Sequence, residues 1–224
     1  MGLLELVFPK KCVGCGKWGG YVCRDCDVGI WEEEQICPVC RRASRYGLRH
    51  KYCNKPLTME GLTCLWAYEG IAKKLIKQAK YKYYYDYLNE LMGEVGGREE
   101  LFYLNKFLDS KPIVVPVPLH PKRQRERGFN QAEVIALSLA SRHKLSLNSH
   151  LLQRVRDTGR QVERSREERL KAMSDAFKIN PNFQISNSVL LVDDVWTTGA
   201  TMSEAAKVLK QARVKVVWGW VLAR

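Results

Sequence analysis

Apolar and polar positions divide the chain into segments of different period. Val189-Leu190-Leu191-Val192 is continuously apolar and ends on Asp193-Asp194, the pattern of a strand buried on both faces of a parallel sheet. Ile113-Val114-Val115-Pro116-Val117-Pro118 reads as a second such strand, stopped by its prolines. Two further strands alternate: Leu62 to Tyr68, and Val214 to Leu222 with Val214, Val216, Trp218, Trp220 and Leu222 on one face. Helical spacing runs from Gly70 to Val95, where Ile71, Leu75, Ala79, Leu88, Leu91, Met92 and Val95 form a buried side, and again from Gln131 to Ser141 and from Ser203 to Ala212. Strands alternating with helices predict an α/β fold, a parallel sheet flanked by helices. Before residue 59 neither period is present. Residues 1–58 are therefore expected to form a small module of a different kind, and residues 59–224 the α/β domain.

Cysteines explain the N-terminal module. Seven of the eight lie between residues 12 and 53, as Cys12-x-x-Cys15, Cys23-x-x-Cys26, Cys37-x-x-Cys40 and a single Cys53 preceded by His50 at the same spacing. Each tight turn offers two ligands to a tetrahedral ion, so four pairs fill two zinc sites. Spacing leaves open whether the pairs combine sequentially or interleave. The module is poor in apolar residues, which makes metal its expected source of stability. The start, Met1-Gly2-Leu3-Leu4-Glu5-Leu6-Val7-Phe8-Pro9, has no basic region and too short an apolar stretch for a secretory signal, and no run has the length of a membrane span. A cytoplasmic location is expected, with any contact at the inner face of the membrane made through partners. A reducing compartment argues against disulfides. Cys64, in the middle of a strand, is expected to be a small core residue.

Charge adds a partner class. The formal net charge is +13 over 224 residues. Seven thiolates and two zinc dications lower it by three, to about +10, still basic enough to favour polyanions. Three segments stand out as basic: Lys73, Lys74, Lys77, Lys80 and Lys82 beside Tyr81, Tyr83, Tyr84 and Tyr85; the loop Leu119 to Asn130 with Lys122, Arg123, Arg125 and Arg127; and the stretch Arg154 to Lys171. Basic positions interleaved with aromatics suit a single nucleic-acid strand.

The candidate chemistry sits at the end of the most apolar strand. Asp193-Asp194-Val195-Trp196 is followed by Thr197-Thr198-Gly199-Ala200-Thr201 and then a helix. Backbone N–H groups and hydroxyls at a helix start suit a phosphate, whereas the aspartates suit vicinal hydroxyls or a metal beside it. Together they describe a ribose 5-phosphate. No G-x-x-x-x-G-K-[ST] or G-x-G-x-x-G pattern competes with that reading.

The stretch Val189 to Thr201 resembles the phosphoribosyl-pyrophosphate (PRPP) motif of type I phosphoribosyltransferases. Combined with the three Cys-x-x-Cys pairs, Val115-Pro116-Val117-Pro118, Arg127-Gly128-Phe129-Asn130-Gln131, and Arg154, Thr158, Gln161, Arg169, Ala176 and Phe177 in order, the chain resembles the ComF/GntX family. Two departures are His50, where a cysteine is more usual, and Ala172, where Asn is common.

That resemblance implies a type I phosphoribosyltransferase fold with an N-terminal zinc ribbon. It implies PRPP or a related ribose 5-phosphate as ligand, accompanied by Mg²⁺, and a role in taking up or processing single-stranded DNA with partners of the DNA-uptake machinery. The implied PRPP-binding positions are Asp193, Asp194, Val195, Thr197, Thr198, Gly199, Ala200, Thr201, Arg123 and Arg127. Asp193, Asp194, Arg123 and Arg125 are the candidate catalytic residues, and Arg154, Thr158, Gln161 and Arg169 the candidate flap. An active transferase with an unidentified acceptor is the alternative, since no segment is recognisable as the acceptor's pocket.

Overall fold

The structure, a computed structural model, describes residues 10–79, 101–156 and 175–224. The expected helix beyond residue 79, the tyrosine run and the flap positions Thr158, Gln161 and Arg169 lie outside the described residues.

Four parallel strands form the sheet: β1 (Gly61–Trp66), β2 (Ile113–Pro116), β5 (Ser188–Val195) and β6 (Val216–Ala223), in the order β1-β6-β5-β2. A separate antiparallel pair, β3 (Leu152–Arg154) with β4 (Phe177–Ile179), lies after β2 in the chain. The helices are α1 (Gly70–Ala79), α2 (Phe102–Asp109), α3 (Pro121–Arg127), α4 (Gln131–His143) and α5 (Ala200–Gln211).

Two apolar layers explain the unbroken hydrophobic runs. On β5, Leu190 and Val192 join the layer with α1, α2 and α4, while Val189 and Leu191 join the layer with α5 and the β3–β4 pair. On β6, Trp218, Trp220 and Leu222 share one face as expected, and Val217 and Val221 fill the other. Val214 precedes the strand and packs with the second layer, so the expected one-face stripe starts at Val216. The sheet is covered on both sides, which is how parallel sheets avoid exposing apolar faces. The α5 helix begins at Ala200, three residues before its expected start.

Strand β1 departs from the expected alternation: all six residues are buried. It lies at the sheet's edge, where an uncovered strand presents unpaired backbone groups. The N-terminal segment covers that edge. Glu33 N–H donates to the Leu65 carbonyl (3.2 Å) and Ala67 N–H to the Trp31 carbonyl (2.9 Å). The Gln35 amide works as a substitute strand, donating to the Cys64 carbonyl (2.6 Å) and accepting from the Cys64 N–H (3.1 Å). Leu48 bridges Gly61 at the strand's amino end. Glu33 also accepts from the Arg224 guanidinium, and Glu60 accepts from Val217 N–H (2.7 Å) and Lys210 Nζ (2.6 Å). The module is thus built onto the sheet, with Val13, Tyr21, Val22 and Ile30 packed on one layer and Ile36 and Met59 inside the other.

Among the described residues no helix is long and apolar enough to cross a membrane.

Candidate metal centres and ligand cleft

The cysteines resolve into two four-ligand groups, Cys12-Cys15-Cys23-Cys26 and Cys37-Cys40-His50-Cys53, each with its ligand atoms within 4.8 Å of one another. Consecutive pairs combine, which settles what spacing left open. Both sets offer soft thiolate donors at tetrahedral number, consistent with structural zinc. Backbone geometry is shaped for it. Cys23 N–H points at Cys12 Sγ (3.3 Å), and a Cβ on Gly14 would fall 2.5 Å from Cys26 Sγ, so only glycine lets the turn close around the ligands.

Within each group two thiols are shifted in opposite directions. Burial pushes Cys12 up, but N–H groups of Cys15, Cys23 and Gly14 outweigh it and bring the thiol down to about 6. Cys26 is pushed up to about 12 by burial and by the protons it shares with Cys12, Cys23 and Cys15. In the second group Cys40 comes down to about 6 despite burial, through Arg42 N–H, His50 and the neighbouring thiols, whereas burial and Cys40 push Cys53 up to about 11. A dication held by the four resolves that conflict by favouring every thiolate.

His50 is a well-prepared ligand. Its Nδ1 lies 3.2 Å from Cys40 Sγ, and its Nε2 faces the Ala43 carbonyl at 3.1 Å, the second bond that fixes a ligating ring's tautomer. Cys64 stands apart: burial pushes its thiol up to about 12, and it belongs to neither four-ligand group.

The second site is a cleft of about 220 Å³ at the carboxyl end of the sheet. Its floor comes from β5 and the turn that follows. Asp194 N–H is tied to Asp193 Oδ1 (2.9 Å), and Trp196 N–H to the Ala223 carbonyl (2.9 Å), which fixes the turn against β6. Gly199 adopts a left-handed conformation (φ 72°) as the cap of α5, and a Cβ there would meet the Trp196 ring at 2.2 Å. Only glycine fits that turn. Asp193, Asp194, Val195, Thr197 and Thr201 line the cleft. Thr198, Gly199 and Ala200 shape the turn behind it, with Thr198 Oγ1 facing Ala200 N–H at 3.4 Å.

The opposite wall corrects the sequence expectation of a loop over residues 119–130. Residues Pro121–Arg127 form α3, with His120 Nδ1 accepting from Lys122 N–H (3.3 Å), proline in the first turn and left-handed Gly128 closing it. These are ordinary start and stop signals. A helix separates the arginines: Arg123 and Arg127, four apart, share the face lining the cleft, and Arg125 lies exposed outside it. Arg154 enters from β3, buried, with its guanidinium 5.7 Å from the Phe177 ring.

Sequence reasoning assigned no role to Asn130, Gln131 or Tyr68, which also line the cleft. Asn130 joins two elements. Its amide donates to the Val117 carbonyl (3.0 Å) and its Oδ1 accepts from Ala132 N–H (3.2 Å), pinning the start of α4 to the end of β2. An Asn directly before a helical period is the signal that could have found it. Tyr68, the one aromatic among the described lining residues, follows β1 with Lys73 Nζ 5.6 Å over its ring. The cleft thus combines three guanidinium groups, two carboxylates and a hydroxyl-bearing turn at a helix start, a constellation for a multiply phosphorylated polyol.

Comparison with known proteins supports the N-terminal zinc module and finds relatives along nearly the whole chain. Residues 3–57 match the double zinc ribbon domain family. DNA utilization protein YhgH of Escherichia coli is 26% identical over 237 residues, covering 98% of this chain and 99% of that protein. Competence protein ComFC of Bacillus subtilis is 26% identical over 224 residues, covering 96% of this chain and 84% of that protein. Along nearly its whole length the chain is thus similar to proteins named for competence and for DNA utilization. Competence protein F of Haemophilus influenzae is 34% identical over 113 residues; that match spans half of this chain and about half of the relative, 50% and 49%.

Proposed function

We propose that the cleft binds PRPP or a related ribose 5-phosphate, and that the chain serves the handling of single-stranded DNA, a reading supported by relatives named for competence and DNA utilization. The division into a zinc ribbon over 1–58 and a phosphoribosyltransferase-like domain over 59–224 is part of the same reading. Its central support is the convergence of Arg123, Arg127 and Arg154 on the edge that carries Asp193, Asp194 and the Thr197–Thr201 turn.

In this reading the turn holds the 5-phosphate through N–H groups and threonine hydroxyls, helped by the α5 dipole. Asp193 and Asp194 accept from the ribose hydroxyls. Arg123, Arg127 and Arg154 hold the pyrophosphate by paired N–H donors. Mg²⁺, which fits beside this acidic pair and a polyphosphate, would supply charge neutralisation of the pyrophosphate. The exposed Arg125 has no place in this set. Thr158, Gln161 and Arg169 remain flap candidates on the sequence resemblance.

Isothermal titration calorimetry with PRPP and Mg²⁺ tests the ligand. Asp193→Asn combined with Asp194→Asn is expected to weaken binding by at least tenfold with zinc content and melting temperature unchanged. A double variant that binds as the parent does removes the ribose role. One observation favours an active transferase as the second reading: Tyr68 offers an aromatic face to a planar acceptor in the same cleft. Pyrophosphate release across a panel of nucleobases and amines would identify it.

A further inference from the structure

Charge is unevenly divided between the two cysteine groups. Asp25, Asp27, Glu32, Glu33 and Glu34 crowd the end of the first ribbon. From Gln35 to Met59 the chain carries Arg41, Arg42, Arg45, Arg49, Lys51 and Lys55 and no acidic residue at all. A dication on three thiolates and a histidine leaves that site one net negative charge, which does not cancel six cations. Arg49 is used internally, donating to Thr58 Oγ1 (2.7 Å) and pairing with Glu60 (3.4 Å). Arg42, Arg45, Lys51 and Lys55 are exposed.

Aromatic faces stand among these cations. Tyr52 is 69% exposed, its ring stacked on His50 at 4.9 Å. The Arg45 guanidinium lies 4.8 Å over Tyr46, which packs in turn against Tyr103 at 5.0 Å. Cations without acids recognise a phosphate backbone, and exposed rings recognise bases that are not already stacked in a duplex. The chemistry is that of an unpaired nucleic-acid strand.

Position separates this face from the cleft. The second ribbon is anchored at the amino end of β1, where Leu48 bridges Gly61 and Arg49 N–H donates to the Glu60 carbonyl (2.8 Å). The cleft lies at the carboxyl end, beside Tyr68 and Thr197. Six strand residues between them span about 20 Å at ~3.3 Å per residue. The acidic end of the first ribbon, not the basic second one, runs beside the carboxyl end, through Trp31 and Glu33.

We propose that the second zinc ribbon is a binding face for unpaired nucleic acid, independent of the cleft: Arg42, Arg45, Lys51 and Lys55 contact phosphates, and Tyr52 stacks on a base. This rests on the DNA-handling part of the reading above and not on its PRPP part.

Fluorescence anisotropy of a labelled oligothymidine over a salt series tests it, using the whole chain with zinc content measured for each variant. The variant Arg42→Ala/Lys51→Ala/Lys55→Ala is expected to keep its zinc and its PRPP affinity but to lose tenfold or more in DNA affinity. Its log–log salt slope should fall by about 2, at ~0.7 for each phosphate of a single strand that is no longer neutralised. Tyr52→Ala should weaken binding about tenfold at unchanged slope, and Tyr52→Phe should restore it. Saturating PRPP with Mg²⁺ should leave the DNA affinity unchanged. Parent-like binding by the triple variant, with weakened binding by Arg123→Ala/Arg127→Ala and competition by PRPP, overturns the ribbon face and puts the strand in the cleft. A parent that binds PRPP but no DNA in a salt-sensitive way overturns both the face and the DNA-handling reading.

Discussion

Cys37 and Cys64 are both fully buried thiols, 0% and 1% exposed, yet their neighbours assign them different work. Cys37 shares its site with Cys40, His50 and Cys53, whereas Cys64 sits on a strand among Ile36, Met59, Leu62 and Val221. Cys64→Ser puts a hydroxyl among apolar side chains and is expected to cost about 1–3 kcal/mol of stability. Zinc content, read by atomic absorption, should stay at two ions per chain. Cys37→Ser should instead lose one ion. A Cys64→Ser protein that drops to one zinc, or a Cys37→Ser protein that keeps two, would contradict the assignment. His50 belongs to the same scale: its Nε2 contact with the Ala43 carbonyl is what a ligating imidazole requires.

At the scale of elements, α3 decides which arginines can act. A loop would have left Arg123, Arg125 and Arg127 equivalent; a helix puts the first and last on one face and the middle one on the other. Arg123→Ala is expected to weaken PRPP binding about 10- to 100-fold, the loss of one or two charge-assisted hydrogen bonds at ~1.5–3 kcal/mol. Arg125→Ala should bind PRPP like the parent. Calorimetry on the two single variants checks this, and equal losses would mean that α3 does not present its arginines as described. The signals for α3 were in the sequence, in His120-Pro121 and Gly128, but seven residues with no apolar period give hydrophobic patterning nothing to detect. Patterning did locate β5 and the turn after it, because a strand buried on both faces and a glycine-dependent turn each have local signatures. It misread β1 as alternating. The cover on that strand's second face comes from Ile36 and Met59 of the ribbon, a contact that no local pattern encodes. Pairing of the cysteines was likewise undecidable from spacing, since sequential and interleaved sets use the same four turns.

For the molecule as a whole, the ribbon and the sheet depend on each other. The segment between the two metal groups satisfies the β1 edge through Glu33, Gln35 and the Trp31 carbonyl. Glu60 ties the same region to β6 and α5 through Val217 and Lys210. The two metal-ligand groups flank that segment, so zinc bound there would act on the sheet through the ribbon. Stripping both ions with a strong chelator should therefore not melt residues 10–58 alone. It releases the cover from β1, exposes backbone groups and the apolar face lined by Leu62 and Cys64, and removes a source of stability that small cysteine modules depend on. The expected outcome in differential scanning calorimetry is one transition, shifted downward for the entire chain, with a tendency to aggregate through the freed edge. Readdition of zinc under reducing conditions should restore the original transition. A chelated protein that shows an unshifted main transition, with only the ribbon lost to limited proteolysis, would mean that the sheet stands without its cover.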